Sequence, residues 1–467
     1  MRKFFLLILS FYCLASQAQT YSIGHHEENP GYPGTTQTNP SVWTEVYYPA
    51  NTAGDDVPVA AGKFPVVVFG HGFVMSWDSY SFFWEYLVPK GYICVFPRTH
   101  GSLSPTHADF AKDLAMLADY FPNVLNNTSS SAFFNHVAPA SAIMGHSMGG
   151  GASFLAAANN TQIKTFVTWA AANTNPSALD SGAVITTPTL VLAGTEDCVA
   201  PVNDHQIPLY NSVASAVKHY VELTGASHCK FSNGNNFNCN FGEGTACIGW
   251  GPFLTTAEQQ TRILALTDPW LRFYLKKDCA AWTAYTSALS SLDAAGFITQ
   301  KTLQGDNTVV MPQISTQGNT LACNVSGASY QWLLNGNIIP NATQQNYVAT
   351  TSGNYSIGVT YSNGCEQLSN VVNLTISGNV AATFTGKVAV SPNPATHVLH
   401  FSASQLQGNF LNLEILDVMG RSIWQERVRL QGTELEKEIS VEHFGNAVYF
   451  LKVTNEEGLW LTQWLKI

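Results

Sequence analysis

The fold is decided by one short stretch, A-I-M-G-H-S-M-G-G-G, which occupies residues 142–151. Its first three residues are apolar, as in a buried strand, and an alanine-rich run typical of a helix follows at residues 152–158. Glycine flanks Ser147 at 145 and 149, where a side chain would collide with strand and helix. Strand, tight turn and helix around G-x-S-x-G predict a nucleophile elbow, which exposes the serine hydroxyl at a helix N-terminus. The alternative is a glycine-rich turn with an incidental serine, which the pentapeptide alone leaves open.

The chain has 467 residues, which exceeds one ordinary core and predicts two or three domains. Residues 1–18 have the pattern of a secretory signal peptide, in which Arg2 and Lys3 precede an apolar run that ends in small residues. That run is too short to cross a bilayer, and no later segment is long enough. We therefore expect an exported protein without an integral membrane segment.

Charge and cysteine content restrict the partners and the compartment. Without Arg2 and Lys3 the chain carries 19 basic and 31 acidic residues, and a net charge near −12 repels nucleic acid and anionic lipid. Eight of the nine cysteines follow the signal segment, in a compartment where disulfides form. Six lie before residue 280 and two after it, which favours disulfides within each region, and their spacing does not match a zinc site. The run H-H-E-E at 25–28 could ligate a metal, but such a run is more often solvated surface.

The first large region, which we place at residues 19–298, alternates short apolar runs with helical stretches. Continuous apolar runs of this kind are typical of strands buried on both faces of a parallel sheet. They occupy residues 64–69, 92–96, 166–169 and 189–194, with helical stretches at 80–88, 108–120 and 264–275. The rhythm predicts the α/β class with a mainly parallel sheet.

Residues 302–377 lose helical periodicity and show short alternating strands separated by turns. Cys323, Trp332 and Tyr355 resemble the framework of an immunoglobulin-like β-sandwich, in which a core tryptophan packs near strand cysteines. The second cysteine of such domains usually stands where this chain has Ile357. A Cys323–Cys365 disulfide would therefore be unorthodox.

Residues 386–467 form a third block with the pattern of a small all-β domain. Three motifs occur in order: P-N-P at 392–394, D-x-x-G-R at 417–421, and a G-N-A-V-Y-F-L-K stretch at 445–452. Their combination resembles the C-terminal sorting domain of type IX secretion cargo. The resemblance implies the type IX secretion machinery as a partner, and an extracellular location by release or surface attachment.

A serine hydroxyl is a weak nucleophile that needs a neighbouring base, which an acid must orient. In a sheet with a nucleophile elbow, the acid and then the base follow the serine along the chain, each in a loop after a strand. The loop at 195–201 follows the strand at 189–194 and makes Asp197 the best candidate acid. Glu196 is the alternative, and Asp180 and Asp204 fit less well.

The loop at 224–229 follows the strand-like run 218–223 and makes His228 the candidate base. His219 lies within the strand pattern and is interpreted as packed or surface, while His205 and His107 lack a strand-end position. An oxyanion hole needs two backbone N–H groups. We expect them from Met148, directly after the nucleophile, and from Phe73, in the loop after the early strand.

Residues 42–280 resemble the α/β-hydrolase superfamily, nearest the cutinase, polyester-hydrolase and chlorophyllase-like esterases. The resemblance rests on G-H-G-F at 70–73, the elbow, the loop at Asp197 and G-A-S-H at 225–228. It implies hydrolysis of carboxylic esters through an acyl-serine intermediate, with no metal and no cofactor. It also implies substrate contacts from the aromatic side chains of Phe73 and Trp169, although Trp169 fits a core position equally well.

Cys198 and Cys229 directly follow the candidate acid and base. We predict that disulfides hold both loops, as Cys198–Cys229 beside Cys239–Cys247, one of the 15 pairings that six cysteines allow.

The segment at 170–188 is too short for a helical lid domain, which predicts a shallow, open cleft for short-acyl or polymeric esters. The leading hypothesis is a secreted, monomeric ester hydrolase. One alternative is an inert hydrolase scaffold that acts as a surface adhesin or binding protein. Another is a secreted peptidase or other acyl hydrolase that uses the same triad. Competent residues at all three positions argue against inertness.

Overall fold

The computed structural model describes residues 20–31, 41–158, 160, 162–234, 236–376, 386–418, 420–455 and 458–467. The predicted signal peptide at 1–18 lies outside the described residues. Two compact units are present. The first extends to Ala349 and includes Gly353–Leu374, and the second comprises Thr350–Ser352 and Thr375–Ile467.

Ten strands of the first unit form one mixed sheet within the described residues. They are β1 (Ser22–Glu28), β2 (Thr44–Ala50), β3 (Gly54–Asp55), β4 (Phe64–Gly70), β5 (Ile93–Pro97), β6 (Val137–His146), β7 (Ile163–Trp169), β8 (Thr189–Gly194), β9 (Lys218–Leu223) and β10 (Ile298–Gln304). Their order across the sheet is β10-β9-β8-β7-β6-β4-β5-β2-β1-β3. The six strands from β9 to β5 are mutually parallel, as the continuous apolar runs predict.

Helices accompany these strands. They are α1 (Ser81–Leu87), α2 (His107–Asn123), α3 (Met148–Ala157), α4 (Ala178–Gly182), α5 (Gln206–Ser212), α6 (Phe237–Ala246), α7 (Thr256–Lys276) and α8 (Cys279–Ala294). Side chains alternate between the two faces of a strand, so Val66 and Val68 of β4 join one core cluster with Phe110 of α2. Phe69 and Trp169 instead contact Phe83 of α1, with ring centroids 5.1 and 5.2 Å away.

Pairing is antiparallel towards both edges of the sheet, except that the last strand, β3, pairs with β1 in parallel. Strand β10 pairs with β9, so the sheet extends to Gln304, beyond residue 298 where the sequence places the end of the first domain. At the other edge β2 pairs with β5 and β1 pairs with β2.

Ion pairs fasten β1 to the adjoining strands. His26 Nδ1 lies 2.5 Å from Asp56 Oδ1, and its Nε2 lies 3.4 Å from Glu28 Oε1. His25 Nε2 lies 2.5 Å from the buried carboxylate of Glu45. The H-H-E-E run therefore takes part in charge pairing along the sheet edge. Among the residues that the structure describes, no cluster of three or more His, Cys, Asp and Glu side chains could hold a metal ion.

These pairs predict a loss of stability in mild alkali. The pKa of His26 is raised to about 9 by its hydrogen bond to Glu28, against burial, which lowers it, and with a further contribution from Asp56. The protonated ring therefore stabilises the fold fully below pH 6.5, and its contribution is lost as the pH rises through about 9. We expect the free energy of unfolding in urea to fall across this window, and His26→Gln to reduce the fall.

His136→Gln is the matched control, because the ring of His136 forms a hydrogen bond with the neutral carbonyl of Gly62 and not with a carboxylate. It should leave the pH dependence as in the parent protein. Equal slopes for His26→Gln and the parent would contradict the prediction.

The rest of the first unit is a pair of small sheets. Its strands are β11 (Ile314–Gln317), β12 (Thr320–Cys323), β13 (Ser329–Leu334), β14 (Asn337–Ile338), β15 (Asn346–Val348), β16 (Gly353–Thr360), β17 (Glu366–Leu368) and β18 (Val372–Leu374). One sheet has the order β11-β12-β15 and the other the order β14-β13-β16-β17, with β18 also paired to β16. Trp332 is fully buried, and its ring centroid lies 5.8 Å from that of Tyr347. The immunoglobulin-like assignment stays a prediction.

The expectation that disulfides stay within each region is wrong for Cys365. Cys365 pairs with Cys279, whose Cα lies 5.2 Å away, while Cys323 is buried and free. The reason is a backbone bridge between Asp278 and Glu366, which brings the start of α8 beside β17. Cys323 lies in the other small sheet, on β12.

The second unit is all-β, as predicted. Its strands are β19 (Lys387–Ser391), β20 (Val398–Ser404), β21 (Phe410–Leu416), β22 (Ser422–Arg429), β23 (Glu434–Ser440), β24 (Val448–Thr454) and β25 (Leu459–Leu465). They form the sheets β19-β20-β23 and β22-β21-β24-β25. Alternate residues such as Leu399, Phe401, Leu413 and Ile415 fill one core cluster. In the described part of the whole chain, none of the helices has the length and apolar character needed to cross a membrane.

Candidate active site

Ser147 lies between the end of β6 and the first residue of α3, with φ 55° and ψ −120°. A positive φ in a non-glycine residue is strained and persists only where the surroundings enforce it. Here the serine N–H donates to the carbonyl of Trp169 (3.0 Å), and its own carbonyl accepts the N–H of Gly151 and of Ala172 (both 3.0 Å). The predicted strand–turn–helix around the serine is therefore present.

The flanking glycines have the close contacts that the sequence predicts. A Cβ on Gly145 would lie 2.3 Å from the carbonyl atoms of Gly149. A Cβ on Gly149 would lie 2.1 Å from the carbonyl oxygen of Gly70, at the end of β4. The elbow therefore packs backbone to backbone against the strand that leads into the Phe73 loop.

The candidate acid and base contact each other. Asp197 follows β8 and His228 follows β9, and His228 Nδ1–H donates to Asp197 Oδ2 at 2.8 Å. Both side chains are buried, and Asp197 Oδ1 also accepts the N–H groups of Val199 (3.1 Å) and Ala200 (2.8 Å). Because Nδ1 carries the proton in this bond, Nε2 is left as the basic nitrogen of the neutral ring.

Electrostatics favour the charged form of this imidazole. Burial lowers the pKa of His228, but the charge of Asp197 and its hydrogen bond raise it, and the net result lies above the usual value. A base that gains stability on protonation suits a proton acceptor in catalysis.

The other acids and histidines weighed from the sequence have different partners. Glu196 Oε2 accepts the N–H of Gly251 (2.8 Å), away from His228. His219 is packed against the hydroxyl of Tyr285 (2.8 Å), and burial lowers its pKa to about 4. His205 and His107 each face a backbone N–H.

A cavity of about 440 Å³ brings three of the predicted residues together. Phe73, Ser147 and Met148 line it, with Leu103 on the same wall. Phe73 is half exposed, so the cavity opens at an aromatic rim.

Trp169 is not among the residues that line this cavity. Its side chain is fully buried, and its ring lies 5.3 Å from that of Phe69 and 5.8 Å from that of Phe82. Its indole N–H donates to Thr267 Oγ1 at 3.4 Å. The structure therefore gives Trp169 the core position that the sequence left open, in place of the substrate contact that the resemblance implies.

Sequence reasoning missed a buried hydrogen-bond chain behind the site. Gly72 N–H donates to the hydroxyl of Tyr80 (2.9 Å), which lies 2.9 Å from His146 Nδ1. His146 Nε2 lies 3.1 Å from the carbonyl oxygen of His228. Burial and the neighbouring His228 hold the pKa of His146 well below its usual value, so the ring is neutral. Its Nε2–H therefore donates to His228, and its Nδ1 accepts from Tyr80.

This chain links the Phe73 loop, the elbow and the candidate base through one tyrosine. No local pattern could have found it, because Tyr80 and His146 are 66 residues apart. Their contact exists only once Tyr80, the residue before α1, is packed against the end of β6.

We expect Tyr80→Phe to lower both stability and turnover. The ring can keep its packing, but the Gly72 N–H and His146 Nδ1 lose their partner, a cost of about 1–3 kcal/mol in the free energy of unfolding. Misalignment of the Phe73 loop should lower kcat for a soluble ester by about tenfold, or about 1.4 kcal/mol of transition-state stabilisation. Urea denaturation and steady-state kinetics measure the two effects.

Tyr210→Phe is the control, since its hydroxyl lies 3.5 Å from the carbonyl of Lys218, at the limit of a hydrogen bond. Parent-like stability and kcat in Tyr80→Phe would show that the hydrogen-bond chain through Tyr80 does not position the site.

Disulfides hold the loops of Asp197 and His228, as predicted, but the predicted pairing is wrong. The bonds are Cys198–Cys247 and Cys229–Cys239. Cys239 lies in the first turn of α6 and Cys247 follows its last residue. Cys247 lies eight positions after Cys239, a rise of about 12 Å along a helix, so they cannot bond to each other. Each instead reaches a different loop.

Two protein-family models match this chain. Residues 39–251 match the PET hydrolase-like family, and residues 389–466 match the secretion system C-terminal sorting domain. The sorting domain indicates an extracellular or cell-surface location.

The curated relatives are similar to about two fifths of this chain. Cutinase est1 of Thermobifida alba is 30% identical over 186 residues, 39% of this chain and 56% of the relative. Cutinase cut1 of Thermobifida fusca is 29% identical over 39% of this chain and 52% of its own length. A bis(hydroxyethyl) terephthalate hydrolase of Streptomyces coelicolor is 30% identical over 39% of this chain and 54% of its own length. The chain thus spans about half the length of the curated relatives it matches.

Proposed function

Because residues 39–251 form a PET hydrolase-like domain of the cutinase-type α/β hydrolases, we propose that this protein is a secreted serine hydrolase of carboxylic esters. The observation that carries the proposal is the 2.8 Å hydrogen bond between His228 and Asp197, whose loops follow strands of the same parallel sheet as the Ser147 elbow. Ser147 is the nucleophile, His228 the general base and Asp197 the orienting acid.

The reaction proceeds in two halves. Ser147 Oγ attacks the ester carbonyl carbon while His228 Nε2 takes its proton, and the resulting imidazolium gives that proton to the departing alkoxide. The alcohol leaves and an acyl-serine remains. A water molecule then attacks the acyl carbon as His228 takes its proton, and return of the proton to Ser147 Oγ releases the carboxylic acid.

Backbone groups stabilise the tetrahedral oxyanion in both halves. We assign them as the N–H of Met148, at the start of α3, and the N–H of Phe73. Each such donor is worth about 3 kcal/mol of transition-state stabilisation. Asp197 holds the imidazole in the correct tautomer and stabilises it when it is protonated.

The cavity supports short-acyl or polymeric esters as substrates. Phe73 and Leu103 offer apolar walls, and the opening lies at the surface. Within residues 170–188, all of them described, the five-residue α4 is the only helix. A helical lid domain is therefore absent there, and a chain segment of a polymer can enter without displacing one. The printed names of the relatives, cutinase and terephthalate-ester hydrolase, agree with this class.

The remaining regions complete the proposal. We assign residues 19–298, extended through β10 to Gln304, to the catalytic domain, residues 305–377 to an immunoglobulin-like sandwich, and 386–467 to the sorting domain. The type IX secretion machinery would recognise the last of these, and the chain acts as a monomer that needs no cofactor.

A phosphate triester that reacts with activated serines tests the function directly. Diethyl p-nitrophenyl phosphate should release one equivalent of p-nitrophenolate and leave a diethyl phosphoryl group on the peptide that contains Ser147, as seen by mass spectrometry. The labelled protein should lose hydrolysis of p-nitrophenyl acetate and butyrate, and His228→Ala should label far more slowly. Label on another residue, with esterase activity retained, would overturn the assignment. Absence of turnover across short-acyl esters and a polyester film would favour the inert binding scaffold.

A further inference from the structure

Helix α6 presents aromatic side chains to solvent. All ten of its residues are described and none is buried. Phe237 is 78% exposed and Phe241 is 64% exposed, and their rings stack with centroids 6.0 Å apart. Ile248, just beyond the helix, is 82% exposed. Phe237 and Phe241 are four residues apart and so lie on one side of α6, and we call these two residues together with Ile248 the aromatic face.

An exposed apolar patch of this kind normally marks a site of interaction. From Phe237 to Trp250 the only charged residue is Glu243. Its Oε1 accepts the backbone N–H of Cys229 at 3.0 Å, so the carboxylate is turned towards the protein. The aromatic face is therefore uncharged as well as apolar.

Two disulfides and a cap hold α6 in place, although the helix buries none of its side chains. Cys239, in its first turn, is bonded to Cys229, and Cys247, after its last turn, is bonded to Cys198. Asn236 caps its start by accepting the N–H of Cys239 (3.0 Å). A single helix of ten residues is marginal in water without such support. The bracing fixes the exposed rings relative to the loops of Asp197 and His228.

The aromatic face adjoins the rim of the cavity that contains Ser147. Asn238, next to Phe237, donates through its side-chain amide to the carbonyl of Val74 (3.2 Å). Val74 follows Phe73, the half-exposed aromatic residue of the cavity wall. An extended apolar surface that rests on α6 would therefore lie beside the point at which a chain enters the cavity.

We infer that the aromatic face is an adsorption surface for a water-insoluble, uncharged ester polymer, which it holds next to Ser147. This inference rests on the proposed function and names the physical form of its substrate. An anionic lipid surface would call for free cationic side chains around the rings. Lys230 is the only lysine or arginine from residue 219 to residue 261. Its ammonium group lies 5.2 Å from the centre of the Phe253 ring and donates to the carbonyl of Leu254.

The test compares adsorption of full-length variants on an amorphous polyester film, all carrying Ser147→Ala so that the film stays intact. Phe237→Ser/Phe241→Ser should adsorb about tenfold more weakly, since each ring contributes apolar area at the contact. Serine has about the helix propensity of phenylalanine, so α6 should persist.

The matched control is Phe134→Ser/Val124→Ser. Both residues are exposed apolar side chains that precede β6, whereas Ser147 follows its other end. Ten strand residues separate the two edges by about 33 Å. This variant should adsorb like the Ser147→Ala parent, and an equal loss would mean that adsorption is nonspecific and would overturn the inference.

A second measurement separates docking from chemistry. With Ser147 intact, the Phe237→Ser/Phe241→Ser variant should keep turnover of soluble p-nitrophenyl butyrate and lose about tenfold in film hydrolysis at low enzyme concentration. Film adsorption of the Phe237→Ser/Phe241→Ser variant equal to that of the parent would overturn the inference. Loss of its binding to phosphatidylcholine vesicles, with film binding retained, would overturn the inference as well. Failure of Ser147→Ala to abolish soluble-ester turnover would refute the proposed function and leave the adsorption result to be judged on its own.

Discussion

Replacing Ser147 by alanine is expected to lower kcat for p-nitrophenyl butyrate by about 10⁶-fold, because the acyl-enzyme route is closed and only binding and oxyanion stabilisation remain. The serine is held at φ 55° by hydrogen bonds from its neighbours, so the methyl side chain should leave the elbow intact. Steady-state kinetics with a tight upper bound on background hydrolysis measure the loss. Ser130→Ala, at an exposed turn, is the control and should act as the parent does.

The interdependence of the three residues gives a sharper form of this result. Asp197→Asn should lower kcat by about 10⁴-fold, because the amide favours the wrong tautomer of His228. The double variant Ser147→Ala/His228→Ala should be no slower than Ser147→Ala alone, since both residues act in one step. A multiplicative loss in the double variant would mean that they act separately, which the proposed mechanism forbids.

Gly149→Ala should damage both stability and catalysis through a single methyl group. That methyl would lie 2.1 Å from the carbonyl oxygen of Gly70 and 2.7 Å from that of His71, both backbone atoms that cannot swing aside. Overpacking of this kind costs about 1–3 kcal/mol or more in the free energy of unfolding. The elbow and the Phe73 loop must also move apart, and a displacement of about 1 Å can lower turnover by about 10²-fold.

Gly242→Ala and Gly244→Ala provide the matched comparison. Both glycines lie within α6 and have no atom within 4 Å of an added Cβ. Alanine there should stabilise the helix by about 0.5–1 kcal/mol. Chemical denaturation measures the free energy of unfolding of all three variants. A Gly149→Ala variant as stable as the parent would contradict the argument.

The elbow and the strands around it were predictable because their determinants are local. Continuous apolar runs at β4 and β8 require burial on both faces, and glycine at 145 is required by a contact with Gly149, four residues away in sequence. The positions of Asp197 and His228 after consecutive strands followed from the same rhythm. Their mutual hydrogen bond is what parallel neighbours β8 and β9 bring about.

The features that escaped prediction depend on contacts that are distant in sequence. The disulfide pairing depends on α6, whose sequence F-N-C-N-F-G-E-G-T-A has two glycines and a single apolar pair at helical spacing, Phe237 and Phe241, which is too weak a signal to predict a helix. Without that helix Cys239 and Cys247 look free to pair. A tryptophan at position 169 is compatible with a place in a cleft and with a place in the core. The packing of α1 and α7 puts it in the core. The hydrogen bonds of Tyr80 could not be predicted from the sequence because its partners, Gly72 and His146, come from separate strand ends.

The Cys279–Cys365 bond has a consequence for how the protein survives proteases outside the cell. It joins α8 to the small sheet that contains Trp332, across the connecting stretch at residues 305–313. A protease that cuts this stretch once would leave both fragments covalently joined, so the nicked chain would keep its mass until a reductant was added. The region of the large sheet would thus carry the small sheets with it even after the polypeptide between them had been severed.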